Sequence, residues 1–242
     1  MIRFKIATLL LLLIFFSCRK SVPVNDVIQL KLTSPEAMAD GSSTDTIIVL
    51  MPQNTDSQSE LVTLKTATGL FSNGADTLSA YANRIDLFPG KRAAIFPWTS
   101  SLRSGLDTIW ASTNTDPQVV NNFTFTMNPS IPSSILLSQS AFSVVDSFAA
   151  EVTITGTLIS KSLQKVSLGT MVSFADNYIG GGAVGGSYRQ IVNQSDSNSQ
   201  VSVIYTPGNA FADTTVVITA AVTGIPSLAN PVVGTIQIYI LK

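Results

Sequence analysis

The chain has 242 residues, 45% of them hydrophobic and only 12% charged, with a formal net charge of −1 and no histidine. That length is too great for one ordinary β-sandwich and suits two, and the apolar content excludes disorder over most of it. The missing histidine removes the commonest general base and metal ligand together, and the near-neutral charge leaves no basic surface for nucleic acid.

The N-terminus opens with Arg3 and Lys5, followed by an apolar stretch from Ile6 to Phe16. Eleven residues cannot cross a bilayer, which needs about 20, but they match the apolar core of a secretion signal. Phe15-Phe16-Ser17-Cys18 then resembles a lipobox, with a small residue before the cysteine and Phe15 in place of the usual leucine. Cys18 is the only cysteine, so an internal disulfide is impossible. The reading is a cleaved lipoprotein signal peptide over 1–17, lipidation at Cys18, and a tether over 18–25. Several acyl chains on one residue anchor a protein stably where a single chain does not.

The remainder reads as short strands rich in Val, Ile, Thr and Ser, bounded by turn residues such as Ser72-Asn73-Gly74 and Phe88-Pro89-Gly90-Lys91. Val201, Val203 and Tyr205 fall on one face of a strand. No long window carries a helical period. An internal repeat runs through this region. Thr46–Val49 pairs with Glu151–Ile154, Val62–Thr66 with Val166–Thr170, Ala93–Phe96 with Val201–Ile204, and Ile109–Ala111 with Ile218–Ala220. Order and offset are kept together, which predicts two units, 26–128 and 132–242, joined by a short, stiff, proline-bearing linker over Met127–Ser134. About seven strands in each is an immunoglobulin-like sandwich pattern. Without the Cys–Trp–Cys signature of antibody domains, each core is expected to rest on aliphatic packing alone. The predicted fold class is all-β: two tandem immunoglobulin-like β-sandwiches after a cleaved lipoprotein signal peptide.

The first unit resembles bacterial immunoglobulin-like domains of the invasin and intimin type. The resemblance is carried by Ala39-Asp40-Gly41-Ser42-Ser43, Thr46–Val49, Val62–Leu64 with Thr68-Gly69-Leu70-Phe71, Gly90–Ile95 and Asp107–Ala111. The second unit is more divergent, with Tyr205-Thr206-Pro207-Gly208 and Ile218–Ala220 as its best pieces. This resemblance implies spacer, stalk or adhesive duty on a bacterial envelope.

Candidate chemistry is sparse. Ser162-Leu163-Gln164-Lys165 has the S-x-x-K form of penicillin-binding enzymes, but the S-D-N and K-T-G elements are missing; Lys165 is placed at a strand start. No catalytic residue, metal ligand or cofactor is assigned. The aspartates Asp40, Asp45, Asp56, Asp76, Asp107, Asp116, Asp176 and Asp196 lie near expected turns without forming a calcium loop, and turn capping accounts for them. Asp45-Thr46, Asp76-Thr77, Asp107-Thr108 and Asp213-Thr214 resemble an envelope O-glycosylation acceptor; a turn-ending Asp before a strand-starting Thr is the favoured reading. Trp110, between inward-pointing Ile109 and Ala111, should face outward, where it could stack on a sugar or a protein surface. The glycine-rich segment 177–189 is expected to form a mobile loop flanked by Tyr178, Tyr188 and Arg189, residue types enriched at interface hot spots. Tyr178, Tyr188, Arg189 and Trp110 are the candidate partner contacts.

The functional expectation is a lipid-anchored, non-enzymatic envelope protein, in the outer membrane, with a structural, adhesive or assembly role. Its partners are the membrane, through the Cys18 lipid, and an envelope protein or glycan. The second expectation is a glycan-binding lipoprotein of a surface nutrient-uptake system.

Overall fold

Strict alternation of apolar and polar side chains decides this architecture. In Thr44–Pro52 the residues Ile47, Val49 and Met51 are buried while their neighbours are not, and in Thr214–Thr223 the same holds for Val216, Ile218, Ala220 and Val222. Such a strand buries one face only, so two sheets must close on each other. A computed structural model describes residues 24–34, 36–55, 61–114, 120–147, 149–208, 210–225 and 230–242. The signal segment 1–17 and Cys18 lie outside the described residues, as do Asp56 and Asp116.

After one helical turn, Val24–Val27, the first sandwich begins. One sheet has the order β1-β3-β7-β5, formed by β1 (Gln29–Leu32), β3 (Thr44–Pro52), β7 (Lys91–Thr99) and β5 (Leu70–Phe71). The facing sheet runs β2-β9-β8-β4-β6, formed by β2 (Ala37–Ala39), β9 (Val120–Pro129), β8 (Gly105–Thr113), β4 (Leu61–Thr66) and β6 (Thr77–Tyr81). The second sandwich pairs β10 (Pro132–Gln139), β12 (Val152–Ser160), β15 (Gln200–Thr206) and β14 (Ser187–Val192) against β11 (Ser143–Val145), β17 (Val233–Leu241), β16 (Thr214–Thr223) and β13 (Met171–Tyr178). In each sandwich an early short strand lies parallel to the last one, β2 on β9 and β11 on β17. The fold is thus all-β with two immunoglobulin-like sandwiches, as the pattern of turns and strands implies.

The cores depart from the expectation of aliphatic packing alone. Trp98 is fully buried in the first core, edge-on to Phe125 at 5.5 Å, with Phe71 edge-on to Phe96 nearby. A large side chain buried in this way stabilises by roughly 1.5–3 kcal/mol. Gly69 provides its seat, because a Cβ there would fall 2.0 Å from the indole nitrogen. Among the described residues the indole N–H itself has no partner.

Two of the four repeat pairings also need correcting. β3 and β12 correspond, with Ile47 and Val152 both buried, and so do Ile109 and Ile218. Val166–Thr170, however, belongs to the connection between β12 and β13; by its place opposite β16, Val172 is the counterpart of Val62. Lys165 likewise lies in that connection and not at a strand start, and its ammonium donates to the Ser197 carbonyl at 2.9 Å. The β7–β15 match is out by one residue, because Phe96 faces Ile47 where Tyr205 faces Val152. A one-residue slip exchanges inner and outer faces.

The joint is two residues, Ser130 and Ile131. Val166 reaches from this connection into the core of the second sandwich, beside Leu158, Val172 and Val201, while Ser167 is buried against the joint. The Ser167 hydroxyl donates to the Ala39 carbonyl of the first sandwich at 2.7 Å and accepts from the Ser130 amide at 2.8 Å. The Leu168 amide donates to the Leu102 carbonyl at 2.8 Å, and Ser42 Oγ donates to Gln164 Oε1 at 2.6 Å. Asp40 fixes the loop that carries Ser42. Burial opposes ionisation of its carboxyl, but hydrogen bonds from Ser43, Ser42 and Ser100 outweigh that and hold it below the usual carboxylate range.

Gly69→Ala is expected to cost about 1–3 kcal/mol by over-packing against Trp98. Gly180→Ala, where a Cβ meets no atom within 4 Å, should stay within about 0.5 kcal/mol of the parent. Urea titration of both variants checks the contrast.

Candidate functional site

The glycine-rich segment closes one end of the second sandwich. Tyr178 ends β13, its amide donates to the Gly182 carbonyl at 2.9 Å, and the Gly181 amide donates back to Tyr178 at 2.8 Å. Gly181 and Gly182 adopt φ near +90°, which side-chain-bearing residues avoid. The chain then crosses between the sheets, and the Gly186 amide donates to Asp176 Oδ2 at 2.8 Å. The same oxygen accepts from the Tyr205 hydroxyl at 3.0 Å. A Cβ on Gly186 would lie 2.5 Å from the Tyr205 ring and 2.7 Å from that carboxylate. The segment expected to be a mobile loop is therefore tied by main-chain and carboxylate hydrogen bonds.

This crossing changes the set of contact residues. Tyr188 follows it into the sandwich, 5.2 Å from the Tyr205 ring and 6.3 Å from that of Phe174, with its hydroxyl buried and unpartnered. It is a wall of the core and of a small cleft of about 160 Å³ between Val172, Phe174, Ile191 and Val203. Arg189 pairs with Glu151 across the domain surface, both half-exposed. Tyr178 stays at the surface, its ring 5.4 Å from Phe211.

Phe211 and Phe142 were not singled out by sequence, since a lone phenylalanine between turn residues carries no period. They are 73% and 83% exposed, and Ile179 is 66% exposed. Hydrogen bonds place them in one row. The Tyr239 amide donates to Phe142 O, Tyr239 faces Thr215 in the sheet, and the Ile179 amide donates to Thr215 O. The row ends at the Tyr178–Phe211 pair. It occupies the end of the second sandwich opposite the joint, because β13 runs from Met171 beside the joint cleft to Tyr178 at the far end.

Trp110 projects from the outer face of the first sandwich, 36% exposed, while Ile109 and Ala111 are fully buried. Its strand neighbours are Lys65 and Asn122. The aspartates act as local clamps. Asp45 accepts from Thr33 Oγ1 and from the amides of Ser34 and Thr46. Asp107 is buried and accepts from Thr66 Oγ1 and the Thr108 amide. Asp196 accepts from Asn198 and Gln200. Asp76 accepts from Thr77 Oγ1. Among the described residues no group of three or more acidic or cysteine side chains is placed to hold a metal.

Comparison with solved structures matches this arrangement of two sandwiches. Invasin, described as a bacterial integrin-binding protein, superposes with a TM-score of 0.58 at 13% identity, over 88% of this chain and 39% of its own. The adhesin InvE of Yersinia pseudotuberculosis gives a TM-score of 0.55 at 13% identity, over 92% of this chain and 61% of its own. The fold is that of invasin-type tandem immunoglobulin-like domains. The invasin-like pair here thus spans less than two thirds of either structure. No protein-family model and no curated protein matches the sequence.

The two inner tyrosines give this invasin-like core a pH signature. Burial, then the charge of Asp176, raises both the Tyr188 and Tyr205 phenols above their ordinary value near 10. The folded chain keeps these protons where the unfolded chain loses them, so their contribution is intact below about pH 10 and fades as pH climbs above it. Tyr188→Phe deletes an unpartnered hydroxyl. It should leave neutral-pH stability within about 0.5 kcal/mol and make the alkaline fall in urea midpoint shallower.

Proposed function

We propose that the chain is a lipid-anchored, non-enzymatic cell-envelope protein that makes adhesive or assembly contacts through the end of its second sandwich. The exposed row of Phe142, Ile179 and Phe211 with Tyr178 carries this reading. Large apolar and aromatic side chains exposed together at one end of a domain mark interaction sites. The chain enters the first sandwich at the end away from the joint, since Gln29 pairs with Leu50 while Thr44 lies toward the joint loop. The entry into β1 and the aromatic row therefore lie at opposite ends of the described body, which supports a module anchored ahead of β1 that presents a surface away from a membrane. The likeness to adhesins in fold agrees with that role. The outer membrane is the proposed site of anchoring.

A second reading, glycan binding within a nutrient-uptake system, is favoured by Trp110, whose indole stands between a lysine and an asparagine on an open sheet face. An indole face with polar neighbours is suited to stacking on a sugar ring.

Cys18→Ser is expected to abolish lipid labelling and leave the signal segment uncleaved; normal processing and membrane partition in that variant would sink the anchor. For the contact surface, a partner is first trapped by crosslinking in intact envelopes. The double variant Phe142→Ser/Phe211→Ser should then weaken its binding at least tenfold, about 1.4 kcal/mol, without moving the thermal midpoint. Undiminished binding moves the contact to the Trp110 face, which Trp110→Ala tests against soluble polysaccharides.

A further inference from the structure

A sheet edge exposes unpaired amides and carbonyls, and natural sheets guard such edges by shortness, charge, proline, bulges or cover. Seven of the eight edges in the four sheets are guarded. β5 has two residues, and β2 and β11 have three each. β1 carries Lys31. β10 opens on Pro132 and breaks register before Ser134. β14 bulges between Arg189 and Val192, with Gln190 at φ 48°. β13 is capped at both ends, where Val172 donates to Asn193 O and Tyr178 to Gly182 O.

Among the described residues, β6 has none of these guards beyond a side-chain cap on Thr77. Its sequence, Thr77-Leu78-Ser79-Ala80-Tyr81, contains no charge and no proline, and its register with β4 is unbroken. The Thr66 amide donates to Asp76 O at 2.9 Å, which sets the phase of the pairing. Asp76, Leu78 and Ala80 direct their main-chain groups to β4, so those of Thr77, Ser79 and Tyr81 point away from the sheet. Asn73 Nδ2 donates to Thr77 O at 3.0 Å; among the described residues no main-chain partner reaches the outer side of Ser79 or Tyr81. The side chains of Thr77, Ser79 and Tyr81 are exposed.

We propose that β6 is a self-association edge, on which a second copy of this chain adds its own β6 antiparallel about a two-fold axis through Ser79. The strand is self-complementary in that arrangement. Ser79 faces Ser79, each donating to and accepting from the other, and Thr77 of one copy faces Tyr81 of the other. Charge agrees. The acidic end of each strand, at Asp76, meets the end of the other that leads to Arg84, where Arg84 and Lys91 outnumber Asp86. The dimer interface is isologous, and the two β2-β9-β8-β4-β6 sheets become one continuous sheet.

The test is sedimentation equilibrium of the full chain in detergent across a wide concentration range. The parent is expected to reach the mass of two chains. Ser79→Lys, which sets like charges across the two-fold axis, should return it to one chain with an unchanged circular dichroism spectrum and thermal midpoint. Ser79→Pro should do the same, because the amide it removes faces away from β4. A parent that stays at one chain mass throughout overturns the proposal, as does a dimer that survives both substitutions.

Discussion

The hydroxyl of Ser167 holds the arrangement of the whole molecule. It lies in the connection between β12 and β13, yet it donates to a carbonyl of the first sandwich and accepts from the two-residue joint. Ser130 returns the contact by donating to Lys165 O at 2.7 Å, and Ser195 Oγ donates to Ser167 O at 2.7 Å. Serines buried at such a seam must be paired, since an unmet hydroxyl there would cost about 1–3 kcal/mol. The relative placement of the two sandwiches follows from this chain of short polar contacts rather than from a large apolar interface. Because the joint is fixed, β1 and the aromatic row are held at opposite ends of the described body.

Each sandwich then solves the same closure problem in its own way. The first fills its centre with Trp98 and gives up a side chain at Gly69 to seat it. The second places Tyr205 at the corresponding strand and meets its hydroxyl with Asp176, which in turn receives the Gly186 amide. The polar end of that tyrosine explains why the crossing ends on Gly186, where a Cβ would strike both the ring and the carboxylate. In the first sandwich the strand equivalent to β13 is covered by β6, and the open edge moves outward to β6 itself.

What the sequence discloses depends on the range of the forces involved. Strands and their inward faces are local and periodic, so Val201, Val203, Tyr205, Ile109 and Ala111 are legible, as are the turns at Gly74 and Gly90, both with positive φ. Trp110 faces outward as alternation requires. Val166–Thr170 misled because a buried loop at a domain seam copies the composition of a strand without its partners. The inward turn of Tyr188 could not be foreseen, since it depends on Gly186 meeting Asp176 and Tyr205 from distant strands. Phe142 and Phe211 escaped notice because exposure is a property of the assembled surface. Cys18 rests on its own short motif and on nothing in the folded body.

The parallel pairing of β11 with β17 bears on how the second sandwich would carry load. The chain enters this domain at the joint, through β10, and β17 reaches its far end at Leu241. A pull between those two points draws β11 and β17 past each other along their length. The hydrogen bonds between Ser143–Val145 and Tyr239–Leu241 then bear the force together, in shear, instead of opening one after another like a zipper. The parallel β2–β9 pair repeats this geometry in the first sandwich. Under such a pull, resistance to extension comes from strand pairs of only three residues each, placed where the force must pass.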